Sequence, residues 1–200
     1  MKLIMSPASP FARKPRIVLR ETGQLDQTQE VLVHTTPFDT ADEVAAANPL
    51  GKIPALVRND GPTLYDSRVI CRFLNDRAQA SLYPATRIWE MLTLEATADG
   101  LMEAAVSMTY EARFKGTKGA SGDWIDTQWA KIDRTLDTIE SQWMSHLEGP
   151  LNIGQIGMAS ALAYVDFRHD SRKWRAQHPV LAAWEAEFAK RPAMVDTKPA

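Results

Sequence analysis

A chain of 200 residues, 44% of them hydrophobic and 24% charged, is long enough for one large or two small globular cores. The formal net charge of −2 gives no basic excess that would favour nucleic acid or a membrane surface, and no apolar run reaches the roughly 18 residues of a membrane helix. Cys71 is the only cysteine, and the four histidines are scattered. We therefore expect no internal disulfide, no metal site and a reducing, cytoplasmic location.

The first 77 residues alternate between short apolar runs and helical patterns. The predicted elements are a strand over 2–5, a helix over 10–21, a strand over 28–33, a helix over 40–47 capped by Thr40, two strands over 55–58 and 63–65, and a helix over 66–77. Asn59-Asp60-Gly61 is the expected hairpin turn between the last two strands. A parallel pair joined by a crossover, followed by an antiparallel hairpin, predicts an α/β domain of the thioredoxin-like type.

The distribution of tryptophan divides the chain. All six tryptophans lie beyond residue 88, and the segment over 78–86 consists mainly of small and polar residues. Such a shift in composition indicates two separate cores. We therefore predict a thioredoxin-like domain over residues 1–77, a linker over 78–86, and an all-helical domain over residues 86–200.

The second domain is predicted to be a helical bundle. Apolar residues at alternating three- and four-residue steps mark two long helices, separated by a loop over 115–122. The two seams are Met91, Leu94, Ala98, Leu101, Ala105 and Met108, and Ile125, Trp129, Ile132, Leu136, Ile139 and Trp143. A third helix over 153–168 begins at a capping box of Asn152 and Gln155, and a fourth begins at Pro179.

The first candidate site residue is Ser9, in SPFARK at the start of the first helix. This stretch has the shape of the redox motif Cys-Pro-aromatic-Cys without its two thiols. The positive end of a helix dipole favours an anion, and the Ser9 hydroxyl can donate a hydrogen bond to a thiolate. Ser9 can equally serve only as the N-cap of the helix. Pro15 removes a backbone donor within that helix and is expected to strain the turn before it.

Two further motifs point to an extended peptide ligand. In NPLGKIPAL, residues 48–56, the backbone beside Pro54 can pair with such a ligand as an added strand. In LYDSR, residues 64–68, Asp66 and Ser67 begin a helix, where they can hold the ammonium and carboxylate groups of an amino acid. Taken singly, the motif over residues 48–56 also fits an edge strand, and the motif over residues 64–68 also fits a helix cap.

These three motifs, in this order and spacing, resemble those of the cytosolic glutathione S-transferases, and the similarity extends over essentially the whole chain. Ser-Pro-Phe at Ser9 looks most similar to the serine-type bacterial branch. The resemblance implies that Ser9 donates to the glutathione sulfur and that Ile53–Pro54 is a cis peptide whose backbone pairs with the tripeptide. It implies further that Lys52 reaches the C-terminal carboxylate. Asp66, in place of a more frequent glutamate, and Ser67 would hold the γ-glutamyl group.

The implied activity is that of a transferase. Glutathione is the co-substrate, no cofactor is needed, and the thiolate attacks a small electrophilic or peroxide substrate. The resemblance places the electrophile pocket between the domains, lined by Tyr110, Arg113 and Phe114. It also implies a homodimer, in which Glu95 approaches the ligand of the partner subunit. A second apolar stripe on the first long helix agrees with such an interface, and it consists of Leu92, Met102 and Val106.

Two other functions remain open at this point. A transferase-like chain can act as a protein-interaction module without catalysis, as in the stringent-starvation-type proteins, although the three retained motifs argue against this. A glutathione-dependent thiol reductase is the other alternative. Ser9 cannot form a mixed disulfide, and Cys71 lies within the helix predicted over 66–77, where a structural thiol is expected.

Overall fold

The computed structural model describes residues 1–118 and 121–200, and the chain forms two compact units. The first unit comprises Met1–Ala85 together with Pro192–Ala200, and the second comprises Thr86–Arg191. The prediction assigns residues 86–200 as a whole to the helical domain. The structure therefore differs from it in the last nine residues, which join the first unit.

The first unit is an α/β domain built on a three-stranded sheet of order β2-β1-β3. Its elements are β1 (Lys2–Met5), α1 (Pro10–Glu21), β2 (Gln29–Leu32), α2 (Asp42–Ala47), β3 (Ala55–Val57) and α3 (Ser67–Arg77). The central strand β1 pairs in parallel with β2 and antiparallel with β3. Helices α1 and α3 pack against each other, and both have buried apolar residues. The predicted thioredoxin-like arrangement is confirmed.

The predicted hairpin is reduced to a single pair of residues. Leu64 and Leu56 exchange two backbone hydrogen bonds of 2.9 Å, and no strand forms around Leu64. Pro62 has no backbone N–H to extend the pairing on one side. On the other side, Asp66 already caps α3, so its backbone is committed to the helix. The strand predicted over 63–65 is therefore wrong.

One predicted helix cap differs from the structure. Helix α2 begins at Asp42 after Ala41, so Thr40 does not cap it. Helix α1 continues on both sides of Pro15, whose side chain is buried. The apolar face that the sequence predicts on α3 consists of Val69, Ile70, Phe73 and Leu74. Ile70 and Leu74 are buried, whereas Val69 is 46% exposed.

The C-terminal segment joins the first unit through α10 (Pro192–Asp196), which packs on α1. The buried Arg13 guanidinium donates to the Met194 carbonyl oxygen over 2.9 Å and to the Thr197 hydroxyl over 3.3 Å. Thr197 is itself fully buried. These contacts join residues more than 180 positions apart, and for that reason the local pattern of the sequence does not reveal them.

The second unit is a helical bundle. Its helices are α4 (Ile88–Lys118), α5 (Gly122–Thr138), α6 (Met144–Leu147), α7 (Ile153–His169), α8 (Trp174–Gln177) and α9 (Pro179–Phe188). A π-helical turn over Ile139–Trp143 connects α5 to α6. Helix α4 extends four residues into the predicted loop over 115–122, and Gly119 and Ala120 of that loop lie outside the described residues.

Helix α4 packs along α5 and α7, and every member of its predicted seam from Met91 to Met108 is buried. Helix α7 begins at the predicted capping box, in which the Asn152 side chain accepts from the Gln155 N–H and the Gln155 side chain accepts from the Asn152 N–H. A Cβ atom at Gly157 would lie 3.1 Å from the Ala98 Cβ, so α7 approaches α4 closely there. No helix in the described ranges is long and apolar enough to cross a membrane.

Candidate functional site

The register of the sheet brings two of the three motifs to the same edge. Strands β1 and β3 are antiparallel with Ile4 opposite Ala55, so β1 ends at the edge where β3 begins. We call this edge of the first unit the site edge. Ser9 follows β1 after a short turn, and Ile53–Pro54 immediately precedes β3. Both motifs therefore lie at the site edge.

The third motif reaches the same edge by a different route. Leu64 pairs antiparallel with Leu56 of β3, so the chain beyond Leu64 runs back toward the site edge. There Asp66 and Ser67 begin α3. Ser9, Ile53–Pro54, Asp66 and Ser67 are thus collected at one edge of one unit. Along the edge they follow the strand order from β1 through β3 to Leu64, which is also their order in the chain.

Ser9 is the N-cap of α1. Its Oγ accepts a hydrogen bond from the Ala12 N–H over 3.2 Å, and its own N–H donates to the Ser6 carbonyl oxygen over 3.0 Å. A hydroxyl has one donor and two acceptor lone pairs. The Ser9 hydroxyl can therefore cap the helix and still donate its proton to a ligand atom at the site edge.

The loop before β3 is held by Asn48, which the sequence analysis missed. Asn48 is only 2% exposed, its amide donates to the Lys52 carbonyl oxygen over 2.9 Å, and its Oδ1 accepts from the Leu50 N–H over 3.0 Å. Gly51 has a φ of 63°, a left-handed conformation that glycine adopts without a steric penalty. The Asn-Pro dipeptide at the end of α2 is a turn signal that points to this role.

The same loop contains two of the residues singled out by the resemblance. The Ile53–Pro54 peptide bond is cis, as the resemblance implies. The Lys52 side chain is exposed, so its ammonium group is accessible from solvent. Asn48, which directly follows α2, donates to the Lys52 carbonyl oxygen. This hydrogen bond fixes the backbone immediately before the cis peptide bond.

Asp66 and Ser67 occupy the N-terminal end of α3. Asp66 is the N-cap, and its Oδ1 accepts from the Arg68 N–H over 3.0 Å. The Asp66 side chain is exposed, whereas Ser67 is 2% exposed. The Tyr65–Asp66 peptide bond is cis. The carboxylate of Asp66 is thus both a cap and an accessible negative charge.

The site edge favours anionic groups. Helices α1 and α3, of 12 and 11 residues, both begin there. Each helix N-terminus has backbone N–H groups without intrahelical partners and the positive end of a helix dipole. Two such ends attract a thiolate and carboxylates, while the exposed Asp66 carboxylate, which also pairs with the Arg68 guanidinium over 3.4 Å, supplies a negative charge for an ammonium group.

The remaining predicted site residues lie on α4 in the second unit. The rings of Tyr110 and Phe114 stack with their centroids 6.2 Å apart, and Arg113 is exposed beside them. Glu95 is only 2% exposed within the chain, so its side chain is buried rather than displayed to a partner subunit. Met102 is fully buried as well. The prediction that Met102 belongs to an apolar stripe on the surface of α4 is therefore wrong.

Within the described residues, no group of three or more histidine, cysteine or acidic side chains could hold a metal ion. The groups that the three motifs bring to the site edge are a hydroxyl, a carboxylate and backbone amides. Such groups bind and orient a ligand and stabilise charge. They suit a reaction in which the ligand itself supplies the nucleophile.

Comparison with known proteins identifies the family. The glutathione S-transferase N-terminal domain profile matches residues 8–77, and the C-terminal domain profile matches residues 122–187. The chain is 31% identical to the uncharacterized GST-like protein YibF of Escherichia coli K12, over 100% of this chain and 98% of that protein.

Solved structures agree in fold and in length. A glutathione transferase family member from Pseudomonas fluorescens Pf-5 with bound glutathione is 40% identical, with a TM-score of 0.95 over 100% of this chain and 98% of that chain. A glutathione S-transferase from Methylobacillus flagellatus KT with glutathione bound is 33% identical, with a TM-score of 0.86 over 100% and 99%. The chain belongs to the glutathione S-transferase family.

Proposed function

We propose that this protein is a serine-type glutathione transferase, which binds glutathione at the site edge and activates its thiol as a thiolate. The observation that carries the proposal is the collection of Ser9, Ile53–Pro54, Asp66 and Ser67 at one edge, beside two helix N-termini. The relatives from Pseudomonas and Methylobacillus, whose structures contain glutathione, support the choice of ligand.

Each part of the tripeptide finds a chemically suitable group. The Ser9 hydroxyl donates to the sulfur, and the backbone of Ile53 pairs with the extended peptide. Lys52 binds the C-terminal carboxylate. The N-terminal end of α3 with Ser67 binds the γ-glutamyl carboxylate, and Asp66 accepts from the neighbouring ammonium group.

Catalysis then follows from thiolate formation and positioning. A cysteine thiol has a reference pKa of about 8.5, and a donated hydrogen bond together with a helix dipole lowers the pKa of a bound thiol. The thiolate attacks a small electrophile or a peroxide that contacts Tyr110, Arg113 and Phe114. Glutathione is a co-substrate, and the reaction uses no other cofactor. We place this activity in the cytoplasm.

Glutathione-dependent turnover tests the proposal. We expect the purified protein to conjugate glutathione to 1-chloro-2,4-dinitrobenzene or to reduce cumene hydroperoxide. Ser9→Ala should lower turnover by roughly ten- to a thousandfold, the scale for losing one donor to a developing anion. Glutathione binding by calorimetry without turnover on any electrophile or peroxide would argue for the interaction module instead.

The thiol reductase is disfavoured by a specific observation. Cys71 is fully buried on α3, and Ser9 occupies the position of the redox thiol. A buried thiol cannot form a mixed disulfide with glutathione without opening the helix. Ser9→Cys should gain some thiol-transfer activity, because it restores one thiol at the accessible position.

We also propose a homodimer as the active assembly. Burial of Met102 removes one part of the stripe expected on α4, but exposed apolar side chains remain on both units. They are Val69 on α3, and Trp89 and Leu92 on α4. Exposed apolar residues at an interface are a common basis for symmetric dimers.

A further inference from the structure

The second unit contains a group of aromatic and cationic side chains near the C-terminal ends of α4 and α7. We call it the aryl–arginine cluster, and it consists of Tyr110, Arg113 and Phe114 on α4 and Phe167 and Arg168 on α7. Phe167 and Arg168 were not identified from the sequence.

A hydrogen-bond network fixes the two helices against each other beside this cluster. The Tyr164 hydroxyl donates to the Thr109 Oγ1 over 3.1 Å, and Thr109 donates to the Ala105 carbonyl oxygen over 3.0 Å. His169 Nε2 lies 2.8 Å from the same carbonyl oxygen and 3.3 Å from the Thr109 Oγ1. Because Thr109 directly precedes Tyr110, this network holds the first ring of the cluster in place.

The aromatic rings of the cluster form flat apolar surfaces. Tyr110 and Phe114 are four residues apart on α4, so they share one face of the helix, and their rings stack at 6.2 Å with an angle of 18° between their planes. Both side chains are partly exposed. On α7, the Arg168 guanidinium carbon lies 3.9 Å from the centroid of the Phe167 ring. Planar surfaces of this kind favour a flat aromatic ligand.

The two arginines of the cluster have no acidic partner among the described residues. The Nε of Arg168 is buried and makes no hydrogen bond within residues 1–118 and 121–200. The acidic residues nearest to it in sequence are already engaged, since Asp166 binds Arg175 and Asp170 binds Lys173. Arg113 is exposed and likewise makes no ion pair in the described part of the chain.

The guanidinium groups of Arg113 and Arg168 both influence the pKa of one hydroxyl group, that of Tyr164. Burial is the largest influence on the Tyr164 hydroxyl and raises its pKa, while the positive charges of Arg168 and Arg113 both lower it. The two arginines therefore lie within electrostatic range of one buried hydroxyl, although they come from different helices. Each of these positive charges favours an anion in its neighbourhood.

We infer that the aryl–arginine cluster binds the electrophile, and that the preferred electrophile is an aromatic ring that bears a carboxylate. The inference rests on the proposed function and names its substrate class. The rings of Tyr110 and Phe114 contact the aryl group. Arg113 and Arg168 bind the carboxylate, for which the guanidinium group is the best-suited side chain.

A matched pair of substrates tests this. The anionic member is 4-chloro-3-nitrobenzoate, and the neutral member is its methyl ester. In both, the thiolate attacks the ring carbon that carries chlorine, a carbon–sulfur bond forms, chloride leaves with the electron pair of the carbon–chlorine bond, and the thiol proton passes to solvent. Each kcat/KM is divided by the uncatalysed rate constant, which removes the difference in intrinsic reactivity between the two compounds.

We expect the wild-type protein to prefer the carboxylate after this correction. Arg113→Gln and Arg168→Gln should each reduce the preference about tenfold, the scale for losing one hydrogen bond to a charged group. The corrected rate with the methyl ester should fall by less than the rate with the carboxylate, because the ester has no carboxylate for the guanidinium groups to bind. The matched control is Arg134→Gln, which removes an exposed arginine from α5 and should leave the preference unchanged. No preference in the wild type, or an equal loss in the control, overturns the inference.

Binding of the two glutathione conjugates separates this inference from the proposed function. Turnover of both substrates without a preference for the carboxylate leaves the transferase in place and refutes the substrate class. If no turnover occurs, calorimetry decides. Tighter binding of the carboxylate conjugate that is lost in Arg113→Gln supports the cluster, and equal binding of both conjugates refutes it.

Discussion

The Ala12 N–H donates to the Ser9 Oγ over 3.2 Å, so the residue proposed to hold the glutathione sulfur is also the cap of α1. From the sequence these two roles are alternatives. In the structure they are compatible, because capping uses a lone pair of the hydroxyl and thiolate binding uses its proton. The cap also fixes the position of the hydroxyl relative to the helix dipole.

The role of Asp66 can be separated from its capping function. Asp66→Asn keeps an oxygen for the Arg68 N–H but removes the charge. We expect unchanged stability and a loss of about 1.5–3 kcal/mol in glutathione binding, the range for hydrogen bonds to charged groups. Calorimetry and chemical denaturation measure the two quantities. Equal glutathione affinity in Asp66→Asn and the wild type would show that Asp66 only caps α3.

Ser67→Ala tests the same head-group site from the other side. We expect a loss of affinity of similar size, about 1.5–3 kcal/mol. The losses in the double variant with Asp66→Asn should not add, because both residues hold one head group. Full additivity in a double-mutant cycle measured by calorimetry would mean that the two residues act independently.

Asn48 should affect both stability and ligand binding without touching the ligand. Asn48→Ala leaves the Lys52 carbonyl and the Leu50 N–H without their partner, at a cost of about 1–3 kcal/mol in the free energy of unfolding. Glutathione affinity should fall as well, because the backbone before Ile53 is no longer fixed. The control is Asn59→Ala, an exposed asparagine of the same unit. Unaltered affinity in Asn48→Ala would show that the loop is held by other contacts.

Glu30 makes the stability of the first unit depend on pH. Burial raises the pKa of Glu30, but hydrogen bonds from Arg20 at 2.8 Å and from Arg16 at 3.0 Å outweigh burial, so the pKa lies below its ordinary value of 4.5. A carboxyl whose pKa is lowered by folding adds stability above the unfolded value, and this stability is lost as the pH falls through the folded pKa.

Glu30→Gln should therefore lower the free energy of unfolding by about 1–3 kcal/mol at neutral pH. The difference from the wild type should shrink as the pH falls below 4.5. Chemical denaturation over a pH series measures it, with Glu43→Gln, an exposed residue on α2, as the control. A difference that stays constant through the acid range would contradict the ion-pair explanation.

The assembly is tested by light scattering. We expect a mass twice the 22.3 kDa of the chain, because exposed apolar side chains on α3 and α4 need a partner. Val69→Lys places a charge on the exposed face of α3 and should shift the protein toward the monomer. Val180→Lys on α9 is a control at a similarly exposed valine. A wild-type mass near that of one chain excludes the dimer.

Several features that depend on residues within one helix are predictable from the sequence, although the cap predicted at Thr40 is wrong. The seam of α4 from Met91 to Met108 and the capping box of Asn152 and Gln155 both follow from spacing alone, and the structure confirms them. The three motifs of the site edge were also recognisable, since each is a short stretch with its own chemistry.

Features that depend on distant contacts are not predictable in this way. Periodicity places Met102 and Val69 on apolar faces but does not say which tertiary neighbour covers them, and one is buried while the other is exposed. The C-terminal segment joins the first unit through Arg13 and Thr197, a contact between the two ends of the chain. The aryl–arginine cluster likewise requires that α4 and α7 be seen side by side.

We propose that Ser9 stabilises the thiolate of bound glutathione, and a pH titration of that thiol is the sharpest test of this role. The ultraviolet absorbance of the thiolate is recorded for glutathione bound to the wild type, to Ser9→Ala and to Ser9→Thr, which keeps the hydroxyl. We expect the pKa of the bound thiol to lie below about 8.5 in the wild type and in Ser9→Thr, and to rise toward that reference in Ser9→Ala. The same thiol pKa in Ser9→Ala and the wild type, with glutathione bound to both, would contradict it.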